Sequence, residues 1–322
     1  MLKIGVTGVG KFGENHTRIL SNLDNCKLIG VYDKDKKRAK SIAKKYNCNY
    51  FPKYENLLDK IDALLIVVTT SAHFALAKTA LEKSVHLFIE KPITSEYEQA
   101  QKLVELADRK NLKIQVGHIE RFNPVIRAIE SEIDNPKFIE CHRIAPFTPR
   151  VKDVPVVLDL MIHDIDLILS FVPSKVKAIH ASGSKVLTNR IDIANARIEF
   201  ENDAVANVTA SRISLKQSRK IRFFQENSYL SLDFQNQTAQ IVKKSKNIKK
   251  ILPLIMMGKK DFKKEDLVDI KDIKVSNQQK DALTCELESF IKTVNDGIKP
   301  VVDGKEGTRA LKIAFDIIKT IN

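Results

Sequence analysis

Short apolar runs alternate with longer amphipathic stretches along the first third of the chain. The apolar runs cover residues 2–7, 28–32, 63–68, 85–89 and 113–116. The stretches between them place apolar residues three or four positions apart, a spacing typical of helices, and they cover residues 34–46, 73–83 and 96–109. Strand and helix in alternation predict a parallel, doubly wound sheet.

The later half of the chain has a different pattern. Apolar and polar residues alternate on both sides of the polar loop at 201–203, with apolar positions at Ala194, Ala196, Ile198, Phe200, Ala204, Ala206, Val208 and Ala210. Alternation with a period of two predicts antiparallel strands with one buried face. We therefore expect an α/β protein with a parallel-sheet domain at 1–118 and a second domain, with the antiparallel strands, at 119–322. The last helix, about 306–321, is a candidate to pack back on the first domain.

Composition narrows the class of protein. A chain of 322 residues with 43% hydrophobic residues can bury two cores. Its longest apolar runs are too short to cross a bilayer, and its first residues lack the pattern of a signal peptide, so we expect a cytoplasmic protein. The four cysteines are far apart and predict reduced thiols, with neither a metal site nor a disulfide: Cys26, Cys48, Cys141 and Cys285.

The formal charge of +14 indicates an anionic partner: a nucleic acid, a membrane surface or a phosphorylated small molecule. Residues 243–280 hold twelve lysines and five acidic residues, which is half of the whole excess. The same segment contains the apolar stretch 251–258. We expect a solvated lysine-rich surface there, with neither a membrane nor a nucleic acid as partner.

The first apolar run leads into the sequence GVGKFG, residues 8–13, which fits the pattern G-x-G-x-x-G. The pattern follows a predicted strand and starts a predicted helix, which is the context it requires. Glycines allow a tight turn and let a pyrophosphate approach the amides at the helix N-terminus. The alternative is a purely structural turn.

Asp33 lies twenty residues beyond Gly13, at the end of the second predicted strand. A carboxylate there can accept hydrogen bonds from the adenosine ribose, which favours NAD over NADP. The lysines at 34, 36 and 37 weaken this preference, because a basic neighbourhood tolerates the additional phosphate of NADP. The alternative for Asp33 is a helix cap.

Two further segments carry candidate catalytic groups. Lys91 follows the strand predicted at 85–89, where ligands bind in open parallel sheets, and Pro92 restricts it to extended conformations. Asp159, His163 and Asp166 interrupt a nearly apolar stretch with spacings of four and three, which places them on one helix face. A histidine beside a carboxylate can take the proton of an alcohol while hydride leaves. The alternatives are a surface lysine at 91 and, at 163, a buried histidine satisfied by its own aspartate or a metal-binding pair that lacks further ligands.

Together these segments resemble the Gfo/Idh/MocA family of nicotinamide-dependent oxidoreductases. The likeness covers nearly the whole chain and includes the glycine turn, GVYDKD, SAHFALAKTALEKSVHLFIEKPIT, QVGHIERFNP, the Asp159/His163 helix and PVVDGKEGTRALKIA. It implies an N-terminal Rossmann domain, then an α/β domain with a large, mostly antiparallel sheet that is often used for oligomer contacts. A homo-oligomer, dimer or tetramer, is therefore expected.

The resemblance also implies roles for single residues. Lys91 would hold the reacting hydroxyl, His163 would be the general acid/base, and Asp159 would support the substrate or the histidine. Cofactor contacts would come from Gly8, Gly10, Lys11, Phe12, Gly13, Asp33, Thr69, His73, Glu90 and Lys91. NAD is the expected cofactor, and no metal is expected.

Within the family the chain looks most like dehydrogenases that oxidise the 3-hydroxyl of UDP-N-acetylglucosamine. Their 3-keto product is aminated by a pyridoxal-phosphate aminotransferase in lipid A biosynthesis. Candidate substrate contacts are His118, Arg121 and Asn123, and the fork of donors on Arg121 suits a phosphate. Alternatively, Arg121 pairs with a nearby glutamate and Asn123 caps a helix that begins at Pro124.

Other functions stay open at this point. Within the family the substrate could be a UDP-hexuronate or an inositol. From a different class, the chain could be a non-catalytic NAD-binding sensor that uses its basic face on a nucleic acid.

Overall fold

The computed structural model describes residues 1–148, 154–246, 248–258, 267–276 and 280–321. The chain divides into two compact units. The first consists of residues 1–122 and 280–312, and the second of residues 123–279 and 313–322.

The first unit is built on a six-stranded sheet with the order β3-β2-β1-β4-β5-β6, and every neighbouring pair is parallel. Its strands are β1 (Leu2–Thr7), β2 (Cys26–Tyr32), β3 (Asn49–Tyr50), β4 (Ala63–Ile66), β5 (His86–Glu90) and β6 (Ile114–Gly117). The helices between them are α1 (Lys11–Leu20), α2 (Lys36–Lys45), α3 (Tyr54–Leu58), α4 (His73–Glu82) and α5 (Tyr97–Arg109). The predicted parallel, doubly wound sheet is confirmed, and the short strand β3 was not predicted.

Burial explains why these strands read as continuous apolar runs. All four residues of β4 are buried, as are four consecutive residues of β1, because helices cover both faces of a parallel sheet.

The first unit also includes a helix from late in the chain, α9 (Ala282–Asp296). Its buried face carries Leu287, Phe290 and Ile291, which belong to the same apolar core as β1, and the ring of Phe290 meets that of Phe88 edge-on at 5.8 Å. The expected division near residue 118 placed this helix with the second part of the chain. Its apolar stripe is the physical reason that it belongs with the first.

The second unit contains an eight-stranded sheet with the order β14-β13-β12-β11-β7-β10-β9-β8. Its strands are β7 (Phe138–Ile144), β8 (Val176–Ser184), β9 (Ile193–Phe200), β10 (Val205–Ser211), β11 (Ser218–Phe224), β12 (Ser228–Asp233), β13 (Thr238–Lys244) and β14 (Val268–Lys274). Only the β7–β10 pair is parallel among these described strands. The predicted large, mostly antiparallel sheet is confirmed.

The remaining helices are α6 (Pro124–Arg127), α7 (Ile162–Phe171), α8 (Ile248–Met256) and α10 (Gly304–Ile321). Up to Lys312, α10 belongs to the first unit, and from Ile313 onward it belongs to the second. No helix in the described ranges is long and apolar enough to cross a membrane.

A buried ion pair organises one end of the second unit. Arg212 Nε lies 2.8 Å from Asp192 Oδ1, and both side chains are almost completely buried. Asp192 Oδ2 accepts hydrogen bonds of 2.8 Å from three consecutive backbone N–H groups, at residues 186, 187 and 188. Burial acts to raise the pKa of Asp192, but these hydrogen bonds and the Arg212 guanidinium hold the pKa well below its ordinary value. The carboxylate is therefore charged and fixes the loop before β9.

We expect Arg212→Met to lower the free energy of unfolding by about 3–5 kcal/mol, because it leaves a buried carboxylate without its counter-charge. The measurement is urea denaturation followed by circular dichroism. Arg197→Met is the matched control, since the Arg197–Glu199 pair is largely exposed and contributes about 0–1 kcal/mol. Equal losses in the two variants would contradict a structural role for the buried pair.

Candidate active site

The turn between β1 and α1 accepts only glycine at two positions. Gly8 has φ +84°, and a Cβ there would lie 2.3 Å from the carbonyl oxygen of Val67. A Cβ on Gly13 would lie 1.8 Å from the carbonyl oxygen of Gly8. Both glycines are therefore required by the backbone itself, with the chain held by a 2.9 Å hydrogen bond from Gly8 N to Tyr32 O.

Gly10 differs, because the space beside it is open. A Cβ there would meet only Arg38 Nη1, at 3.8 Å, so packing within the protein does not require a glycine. Gly10 is also the N-cap of α1 and makes no side-chain cap hydrogen bond. The first amides of α1 have no side-chain cap and the space beside Gly10 is open, and this cradle fits the pyrophosphate of a dinucleotide. Lys11 and Phe12, exposed in the first turn of α1, stay predicted cofactor contacts.

Asp33 is buried against the same turn. Its Oδ2 accepts a 2.8 Å hydrogen bond from Val9 N, and its Oδ1 accepts one of 2.9 Å from Asp35 N. The cap of α2 is Asp35, which accepts from Arg38 N, so Asp33 is not the helix cap that the sequence left as an alternative. A carboxylate oxygen can accept more than one hydrogen bond. Asp33 can therefore hold the glycine turn and still accept from a ribose.

Glu90, at the end of β5, is tied to α1 by a histidine that the sequence did not single out. His16 Nε2 lies 3.0 Å from Glu90 Oε1, while His16 Nδ1 lies 2.9 Å from Phe12 O. Burial acts to raise the pKa of Glu90, but the hydrogen bond and charge of His16, with the charges of Lys91 and His73, lower it on balance. Glu90 is thus an ionised group next to Lys91. The sequence feature that could have indicated a role for His16 is its place in the helix that the glycine motif begins, four residues after Phe12.

His73 connects the loop after β4 with the turn after β5. The ring is buried, with Nδ1 3.0 Å from Pro92 O and Nε2 3.2 Å from Val68 O. Burial lowers its pKa. These contacts make His73 a positioning residue for the segment that follows Lys91. Contact of His73 with a cofactor stays a prediction, as does that of the exposed Thr69.

Lys91 lies where the sequence placed it, directly after β5 and partly buried, and its peptide bond to Pro92 is cis. It is at the carboxyl end of a parallel strand, as is the glycine turn after β1. Ligands of open parallel sheets bind beyond these ends.

The three predicted substrate contacts follow β6. His118 is buried, and Arg121 is half-buried in a short 3-10 turn in which Arg121 N donates to His118 O at 3.0 Å. Asn123 Oδ1 accepts a 3.1 Å hydrogen bond from Val125 N and caps α6, which is the structural alternative for this residue. Substrate binding by these residues stays a prediction.

In the second unit, Asp159 and His163 lie on one continuous helical segment. Asp159 is in a π-helical turn, Val157–Met161, and His163 is in the first turn of α7. Both are half-buried, whereas Asp166 is almost fully buried. Such π turns are frequent at functional sites. Among the described residues, no group of three His, Cys, Asp or Glu side chains could hold a metal.

Arg143 fixes this helix to the sheet, a contact that the sequence analysis missed. Arg143 Nε donates to Asp164 Oδ2 at 2.9 Å and Nη2 donates to Oδ1 at 2.7 Å, with both side chains about 3% exposed. Cys141 and Arg143 alternate on the buried face of β7, and His142 is exposed. This alternation could have indicated from the sequence that Arg143 lies on the buried face of the strand. The bidentate pair holds the residue next to His163 in one orientation.

The start of the same segment is held as well. Arg212 Nη1 donates to Val154 O, and Val156 N donates to Ile191 O at 2.9 Å. The buried pair Arg212–Asp192 therefore acts on the segment that carries Asp159.

Comparison with known proteins agrees with this geometry. Residues 2–118 match the model of the oxidoreductase family with an NAD-binding Rossmann fold, and residues 126–230 match the GFO/IDH/MocA C-terminal domain. The chain is 33% identical to a UDP-N-acetylglucosamine 3-dehydrogenase from Acidithiobacillus ferrooxidans, over 98% of this chain and 96% of that protein.

Solved structures show the same likeness. A structure of the Acidithiobacillus ferrooxidans dehydrogenase has a TM-score of 0.90 and 32% identity, covering 99% of this chain and 97% of that one. A scyllo-inositol dehydrogenase from Lactobacillus casei, with bound NAD(H) and scyllo-inositol, has a TM-score of 0.79 and covers 100% of this chain and 97% of that one. At 19% identity, the latter shows the fold alone.

The glycine turn, the open position at Gly10 and the buried Asp33 are thus parts of an NAD-binding Rossmann domain. With both halves of the chain matched, the protein belongs to the Gfo/Idh/MocA family of oxidoreductases.

Proposed function

We propose that the protein oxidises the 3-hydroxyl of UDP-N-acetylglucosamine to a 3-keto sugar with NAD as oxidant. The observation that carries this proposal is a likeness of 33% identity over 98% of the chain to a UDP-N-acetylglucosamine 3-dehydrogenase. It is supported by Lys91 at a strand end in the unit that holds the NAD cradle.

The chemistry needs a hydride acceptor and groups that handle one proton. NAD, when bound, accepts the hydride from the sugar carbon. Lys91 donates a hydrogen bond to the reacting hydroxyl and stabilises the oxygen as negative charge develops. His163 removes the hydroxyl proton, and Asp159 orients the imidazole or the sugar. The products are the ketone, reduced cofactor and one proton.

The site's supports suit these roles. Glu90, directly before Lys91, is held by His16. The carbonyl of Pro92, directly after Lys91, is held by His73. His163 is next to Asp164, which Arg143 fixes in a buried bidentate pair. A catalytic group must keep its direction within narrow limits, and such contacts provide this.

Further parts of the proposal concern the substrate and its pathway. Arg121, with its planar donors, would bind the diphosphate together with His118 and Asn123. The 3-keto product suits a pyridoxal-phosphate aminotransferase of lipid A biosynthesis. A cytoplasmic homo-oligomer, dimer or tetramer, completes the proposal.

The test is formation of reduced nicotinamide by the purified protein with NAD. UDP-N-acetylglucosamine, a UDP-hexuronate and myo-inositol are compared, each with a carbonyl trap that removes the ketone. We expect turnover with UDP-N-acetylglucosamine and a trapped 3-keto product. Turnover with only one of the other two would overturn the substrate assignment and keep the family chemistry. No turnover with any of them, in protein that binds NAD, would favour a sensor.

For the catalytic groups, we expect Lys91→Ala and His163→Ala each to lower kcat by about 10²–10⁴ while NAD binding is retained, because each handles charge or a proton in the transition state. Single-turnover kinetics and cofactor titration measure the two effects. Lys305→Ala and His180→Ala are matched controls, since both residues are exposed. Parental kcat in both catalytic-site variants would refute the assigned roles.

For the cofactor site, we expect Gly10→Ala to weaken NAD binding by about tenfold or more at an unchanged thermal midpoint. Its Cβ occupies open space within the protein, where the pyrophosphate would lie. Gly13→Ala is the contrasting variant, because its Cβ collides with the backbone and should lower the thermal midpoint. Unchanged NAD affinity in Gly10→Ala would argue against this cradle.

A further inference from the structure

We propose that α8 binds the surface of an anionic lipid bilayer. This helix lies between β13 and the edge strand β14, so it occupies the end of a β-hairpin at the margin of the sheet. The proposal does not depend on the proposed reaction.

The first observation is that the protein fully buries no apolar side chain of this helix. None of the nine described residues of α8 is buried. Three isoleucines at helical spacing are half-buried and account for the side facing the protein: Ile248, Ile251 and Ile255. Leucine and methionine side chains beyond that stripe are exposed, with Leu252 41%, Leu254 42%, Met256 81% and Met257 67% exposed.

This exposure differs from scattered single apolar residues, which are normal on a protein surface. Here four large apolar residues lie within six consecutive positions at the tip of one hairpin. A concentration of exposed apolar residues of this kind marks an interaction site.

The second observation is the charge around the patch. The described residues 243–246 and 248–258 contain five lysines and no acidic residue, and within α8 itself Lys249 and Lys250 are exposed. At helical spacing the exposed leucines and methionines alternate with Lys249 and Lys250 around the outward part of α8, and the long stems of lysine let their charged ends reach the headgroups of an anionic membrane. Each lysine near such a surface adds attraction, and the apolar side chains enter the acyl boundary.

Other occupants fit this surface less well. Nucleic acid is held by lysine and arginine together with aromatic rings that stack on bases, and α8 has neither arginine nor an aromatic residue. A second copy of the chain in a symmetric contact would place like-charged lysines near each other, which is unfavourable. An anionic bilayer satisfies the apolar residues and the lysines at once.

The sequence alone favoured a solvated lysine-rich surface with no membrane partner. The exposed aliphatic residues are the physical reason to revise that expectation. A helix of nine residues is too short to span a bilayer, so the association is with its surface.

The test is sedimentation of the full-length protein with vesicles. One set contains phosphatidylcholine with one quarter phosphatidylglycerol, and the other contains phosphatidylcholine alone. We expect binding to the anionic vesicles to be at least about tenfold stronger and to weaken in high salt. Equal sedimentation with the two sets, or none with either, would overturn the proposal.

Variants separate insertion of the helix from simple attraction of charge. Leu254→Asp with Met256→Asp, and Lys249→Glu with Lys250→Glu, should each weaken binding to the anionic vesicles at least about tenfold. Leu215→Asp is the matched control, because Leu215 is 99% exposed and lies outside α8, and it should bind as the parent does. All variants change exposed residues, so thermal midpoints and NAD binding should match the parent.

Two further outcomes would reject the proposal. If only the lysine variant loses binding, the protein adsorbs by charge and α8 does not enter the membrane surface. If the apolar variant shifts the mass measured by light scattering to a smaller species, while the parent binds no vesicles, the patch is covered by a second copy.

Discussion

The parallel direction of the six strands in the first unit is the constraint on which its candidate site depends. Because every strand runs the same way, every carboxyl end emerges at one edge of the sheet. The segments after β1, β2, β4, β5 and β6 carry, in turn, the glycine turn, Asp33, His73, Lys91 and His118. Residues separated by more than a hundred positions in sequence therefore share one edge without any special contact being needed to gather them.

Contacts between these segments then fix their positions at this edge of the sheet. Asp33 holds the glycine turn, His16 holds Glu90, and His73 holds the carbonyl after Lys91. In the second unit two buried arginines do comparable work: Arg143 fixes α7, and Arg212 fixes the residues that lead toward it. A buried ion pair contributes little net stability compared with apolar packing, but it fixes orientation. In this protein the two buried ion pairs fix the orientation of the segments that they join.

The fold could be predicted from the sequence because the strands of the parallel sheet and those of the antiparallel sheet have different patterns of apolar residues. Continuous apolar runs as short as residues 63–68, with helical patterns between them, are typical of strands buried on both faces, and the alternation around 201–203 is typical of strands with one buried face. The short strand β3 escaped prediction because two residues carry no period. The sequence pattern did not assign helix α9 to the first unit, because an amphipathic pattern shows that a face is buried but not what covers it.

The candidate site was predictable where chemistry follows a motif and not where it follows packing. Gly8, Gly10 and Gly13 fit one pattern, yet only the structure separates the two that the backbone requires from the one beside which the space is open. His16, Arg143 and Arg212 have partners that are distant in sequence, by 74, 21 and 20 positions for Glu90, Asp164 and Asp192. No local spacing reveals such pairs.

Among the described strands, β14 ends the sheet of the second unit, so one row of its backbone donors and acceptors has no described strand beside it. An exposed edge of this kind can template the pairing of another chain, especially while a protein is still folding. Four of the seven residues of β14 are charged: Asp269, Lys271, Asp272 and Lys274. Since side chains alternate, both faces of the strand carry charge. An incoming strand would have to dehydrate these groups, so the edge is protected from aggregation even at the high protein concentrations of a crowded cell.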